Sequence, residues 1–146
     1  MTTDLLLRRI RTLTGNLDLE VSDLTDQEIL DALQEAVVTL EGRGVLVEGT
    51  YTVESDIEQS GYGISPDPTQ IDGNLLATRT AVDLLRAAYR GRLDRGELGI
   101  SWSSGLEAES SISADKAYRA GIDSLEMELR ELVAIRQSGT TGARSQ

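Results

Sequence analysis

Apolar side chains recur at helical spacing in four stretches of the chain, and two long stretches lack that spacing. In the first stretch Leu6, Leu7 and Ile10 share one face, Thr3 is the expected N-cap and Gly15 supplies a left-handed stop. The prediction is a short amphipathic helix, too short to persist without partners. The second has the clearest local signature. Thr25-Asp26-Gln27-Glu28 forms a capping box, with Leu24 and Ile29 at the hydrophobic staple positions. Ile29, Leu33, Val37 and Leu40, supported by Leu30 and Ala36, give a helical face that ends at Gly42 or Gly44.

Between residues 45 and 68 the period disappears. Val45-Leu46-Val47 and Tyr51-Thr52-Val53 are short β-type runs, punctuated by Gly49, Gly61, Gly63, Pro66 and Pro68. A β-hairpin or an extended arm is expected there. The third helix is predicted from about residues 67–69, with Pro68 in its first turn, to about Arg90 before Gly91. Leu75, Val82, Leu85 and Tyr89 form one stripe, and Ala77, Ala81, Leu84 and Ala88 form a second. A helix apolar on two sides belongs in the middle of a bundle. Residues 91–112 lose the period again and hold the only tryptophan, Trp102, in an Ile100-Ser101-Trp102-Ser103 alternation that suits a short strand or packed loop. The fourth helix is predicted after Ser113, with Tyr118, Ile122, Leu125, Leu129, Leu132 and Arg136 stepping by fours and threes as in a coiled-coil seam.

These elements define a mainly α fold: a four-helix bundle-like subunit with an extended arm or short β-hairpin between the second and third helices. Residues 1–136 form the helical domain, and residues 137–146, QSGTTGARSQ, form a polar C-terminal tail that is expected to be disordered alone.

Composition narrows the chemistry. The chain has 146 residues, a length that suits one domain. It has no Cys and no His, which removes disulfides, thiolate nucleophiles and the commonest metal ligand and general base. No apolar run approaches the roughly 18 residues that span a bilayer. Residues 4–13, DLLLRRIRTL, carry charge within their apolar run, unlike a secretory signal, so a cytoplasmic chain is expected. The net charge is -11, and residues 16–58 hold 12 acids against the single base Arg43. Such a chain is a poor general binder of nucleic acid phosphates or anionic membranes.

No motif supplies catalysis. Gly42-Arg43-Gly44 and Gly61-Tyr62-Gly63 lack the third glycine, the lysine and the strand-to-helix setting of a phosphate loop. Asp18, Glu20, Asp23 and Asp26 lack Ca-loop spacing and read as solvated acid before a helix. A carboxylate-pair hydrolase needs two acids converging across a cleft, which spacing alone does not show. The expectation is a protein that is not an enzyme and holds no metal or cofactor.

The order of these elements, with TDQEILDALQEAVVTLEG, GYGISPDPTQID, LLATRTAVDLLRAAY and GISWSSGLEAESSIS in turn and a polar tail last, resembles the head-to-tail adaptor (connector or head-completion) proteins of tailed bacteriophages. The resemblance covers nearly the whole chain. It implies a structural virion neck protein, assembled in the host cytoplasm, that forms a homo-oligomeric ring, usually of twelve. The ring sits below the portal protein, extends the DNA channel without binding DNA specifically, and docks the next neck or tail-completion component. It also implies that the C-terminal segment meets the portal, here Arg136, Gln137, Ser138, Gly139, Thr140, Thr141, Gly142, Ala143, Arg144, Ser145 and Gln146. With no large apolar side chain, that segment is left with backbone pairing, polar contacts or confinement as its means of docking.

A ring subunit needs two different faces that meet head to tail. The acidic face Glu28, Asp31 and Glu35 and the stripe Arg79, Arg86 and Arg90 are candidate faces; charges paired within each helix are the alternative. Tyr51 and Val53, in the arm, are further candidates for contact with a neighbour. Part of residues 16–58 is expected to line the lumen and repel DNA phosphate. An acidic inhibitor or DNA mimic that occupies a basic site on an enzyme is the competing reading.

Overall fold

In the computed structural model of the chain, residues 1–15, 24–48, 50–54, 63–94 and 105–145 are described. They form four helices and a short two-stranded antiparallel hairpin between the second and third. The chain is mainly helical, as the periodicity predicts. The helices are α1 (Thr3–Thr14), α2 (Asp26–Gly42), α3 (Gln70–Asp94) and α4 (Gly105–Ser145), and the strands are β1 (Thr52–Val53) and β2 (Ile64–Ser65).

Helix α1 is capped one residue earlier than the sequence suggests: the Thr2 hydroxyl, not that of Thr3, accepts from the Leu5 amide. This frees the Thr3 hydroxyl to accept from the Ile64 amide at 3.2 Å, tying the start of the chain to β2. Gly63 lies against the same threonine, and a Cβ there would clash with the Thr3 methyl.

Helix α2 follows its local code at both ends. Thr25 accepts from the Glu28 amide and Glu28 accepts from the Thr25 amide, each at 3.2 Å, completing the capping box. At the other end Gly44, at φ 68, donates to the Glu41 carbonyl while the Val45 amide donates to the Leu40 carbonyl. This is a Schellman closure, in which Val45 and Leu40 are both buried.

Helix α3 is the central element. It packs on α1, α2 and α4, as two apolar stripes require. Its bounds differ from those predicted. Pro68 lies before the helix, and Thr69 caps it by accepting from the Asp72 amide at 3.1 Å. Gly91 does not end it, because an interior glycine costs only about 1 kcal/mol relative to alanine. One core cluster joins α1, α2, the hairpin, the first turns of α3, and Leu129 and Val133 of α4. A second joins Ala81, Val82 and Leu85 to Tyr118, Ile122 and Leu125.

Helix α4 begins at Gly105, eight residues before the predicted start at Ser113, so part of the expected loop 91–112 is helical. Its 41 residues span about 60 Å at 1.5 Å per residue. The predicted seam is real: Tyr118, Ile122, Leu125 and Leu129 are buried, and Leu132 and Arg136 are half-buried. The backbone stays helical through Ser145, so the segment read as a disordered tail continues α4. A helix already nucleated adds residues more cheaply than one that must start anew. Trp102, Asp18, Glu20, Asp23, Gly61 and Tyr62 lie outside the described residues, as does Gln146. Among the described residues no helix is long and apolar enough to cross a membrane.

Candidate functional site

The segment leading into the hairpin is fastened inward by two carboxylates. Asp72, fully buried in the first turn of α3, accepts from the Val47 amide at 2.6 Å, the Glu48 amide at 3.0 Å and the Tyr51 hydroxyl at 2.5 Å. From α2, Glu41 accepts from the Tyr51 amide at 2.8 Å. Val45, Leu46, Tyr51 and Val53 are buried in the subunit's own core. Thr52 pairs with Ser65 and Val53 with Ile64 in the hairpin, and the Glu54 amide donates to the Gly63 carbonyl at 2.7 Å.

This corrects the expectation that Tyr51 and Val53 serve as contacts for a neighbour. Their alternation reflects one buried face within the chain. Nothing in the sequence singles out Asp72, whose partners lie 21 to 25 residues away. The Thr69-to-Asp72 capping spacing is the only local hint.

Burial pushes the Tyr51 phenol above its ordinary range, and the hydrogen bond to Asp72 and that carboxylate's charge push it the same way. The folded chain therefore holds this proton more tightly than the unfolded chain. The resulting stability is fully present below about pH 10 and is lost as pH rises above it. Tyr51→Phe is expected to cost about 1–2 kcal/mol at neutral pH and to flatten the alkaline fall. Denaturant unfolding of both chains from neutral to strongly alkaline pH checks this, and parallel curves above pH 10 would contradict it.

The predicted charged residues divide into engaged and outward-facing sets. Arg79 pairs with Asp83 within α3 at 3.1 Å. Arg86 reaches Glu126 of α4 through Nε at 2.8 Å and through Nη2, and Arg130 stands 3.8 Å from the same carboxylate. Arg79 and Arg86 are thus satisfied inside the subunit, whereas Arg90 is exposed. Asp26, from the acidic run, takes Arg11 at 2.7 Å. Glu28, Asp31 and Glu35 are exposed along the outward side of α2, and the carboxylates of Asp31 and Glu35 have no ion pair among the described residues. Among the described residues no cluster of three or more acids is placed to hold a metal ion.

Helices α3 and α4 run antiparallel. Tyr89 stacks on Tyr118 at 5.6 Å near one end, and Ile71 and Arg136 share a groove at the other. Arg119 closes the first end by donating to the Tyr89 hydroxyl at 2.8 Å. The groove, about 280 Å³, is lined by Ile71, Asn74, Leu75, Leu132, Ile135 and Arg136. Ile71 is 55% exposed and Ile135 70% exposed at its edges. Past this level α4 continues through residues 137–145, about 13 Å of helix. Arg136, predicted from the seam and from the tail, lies where the two meet: it lines the groove and precedes the extension.

Comparisons of the chain with protein-family models, with curated proteins and with solved structures find no match.

Proposed function

We propose that the chain is the subunit of a ring-forming adaptor in the neck of a tailed bacteriophage, seated beneath the portal and extending the DNA channel. The observation that carries this reading is the continuation of α4 through residues 137–145, beyond its last groove-lining side chain. The segment matched to portal contact by resemblance thereby continues α4 past the groove. The polar residues of that segment suit contact with another protein better than packing in their own core.

The rest of the surface supports the same role. Glu28, Asp31 and Glu35 present an exposed row of carboxylates on α2, an outward face of the kind a ring subunit needs to meet a different face of its neighbour. The same row favours the second reading, an acidic inhibitor that imitates DNA on a basic enzyme. Sedimentation separates the two. The adaptor reading expects the chain to travel with portal rings at moderate salt and to ignore a basic nuclease. Salt-sensitive capture by the nuclease, with portal rings left bare, would replace it with the inhibitor.

A further inference from the structure

We infer that the groove between α3 and α4 receives the outward face of α2 from a second copy of this chain, with Val38 entering the apolar floor and the Glu35 carboxylate facing Arg136. The inference rests on the ring-subunit reading and names the contact by which one subunit holds the next.

The groove has an apolar floor and edges, and its lining contains a single charged side chain, Arg136. Apolar surface of this kind is stabilised when covered. The matching feature lies on α2. Val38 is 64% exposed, one turn from Glu35 and two turns from Asp31, both exposed. An apolar centre beside a cation on one surface thus meets an apolar centre beside carboxylates on the other. Such complementarity fixes register and rejects wrong partners.

Two other protruding apolar residues fit less well. Leu5 stands one turn from Arg8 and Arg9, and Leu93 beside Arg90, so both would bring positive charge to Arg136. The terminal segment has no large apolar side chain to fill the floor. Within one chain α2 and α4 each pack chiefly on α3, so the two surfaces are satisfied from copy to copy. Contact between two different surfaces propagates head to tail and closes as a ring when the rotation permits.

Sedimentation of the full chain over a wide concentration range tests this. Val38→Asp and Ile135→Asp are each expected to weaken self-association by about tenfold or more. Both side chains are exposed, so helical circular dichroism and Tm should stay at wild-type values. Glu35→Arg and Arg136→Glu are each expected to weaken association, and the two together to restore most of it. A structural defect would not show that rescue.

The inference is overturned if wild-type stays monomeric at every concentration, if the aspartate variants associate like wild-type, or if the charge swap fails to rescue. Portal co-sedimentation of the same chains tells the two failures apart. A chain that binds portal but ignores these changes loses the groove contact and keeps the adaptor role. One that associates through the groove but leaves portal bare loses the adaptor role alone.

Discussion

Replacing Asp72 by Ala is expected to destabilise the folded chain by about 3 kcal/mol or more, lowering Tm by about 6–12 °C. The carboxylate is fully buried and accepts three hydrogen bonds, from two backbone amides and a phenol. Alanine leaves a buried phenol and two partly buried amides without their acceptor, and an orphaned buried donor costs about 1–3 kcal/mol. Some of that loss is recovered if residues 45–51 lift away to meet solvent, but lifting them exposes Val45, Leu46 and Tyr51. Asp72→Asn should fall between wild-type and alanine, because it keeps one acceptor oxygen. A double-mutant cycle of Asp72→Asn with Tyr51→Phe should show coupling of about 1–2 kcal/mol. Denaturant unfolding of the four chains measures it. A loss under about 0.5 kcal/mol for Asp72→Ala would show that the carboxylate does not hold the loop.

Removing residues 137–146 is expected to abolish portal binding while leaving Tm and groove-mediated association close to wild-type. The buried side chains of α4, from Tyr118 to Val133, all precede the cut, and Gln137 and Ser138 are exposed. The bundle therefore keeps every one of these buried side chains. The adaptor loses the segment assigned to the portal. Co-sedimentation with portal rings reads the first effect and thermal unfolding the second. A truncated chain that still binds portal would assign docking to another surface; a truncated chain that unfolds would make the segment part of the bundle.

Local signals decided which elements were legible in the sequence. Both ends of α2 were readable because capping needs only neighbours: Thr25 with Glu28, and Gly44 with Glu41 beside Val45 with Leu40. The central place of α3 followed from its two apolar stripes, and the α4 seam from its fours and threes. Boundaries that depend on small competing energies drifted. Gly91 was tolerated inside α3, and residues 105–112, with Leu106, Glu107 and Ala108 among them, continued α4 upstream of Ser113.

Tertiary assignments were not readable. Tyr51 and Val53 carry an alternation that fits a free edge as well as a buried hairpin, and Asp72 decides between them from across the fold. The groove was half legible. Leu132 and Arg136 belong to the predicted seam, but Ile71 and Ile135 become its edges only once the antiparallel pairing of α3 and α4 sets which turns lie opposite. The engagement of Arg86 by Glu126, 40 residues away, is likewise a product of that pairing.

Electron microscopy of the full chain mixed with portal rings decides the ring-adaptor reading. A closed ring of this chain stacked coaxially on the portal is expected, with residues 137–145 at the junction and the channel continuing through its centre. Bare portal rings beside free monomers of the chain would contradict it.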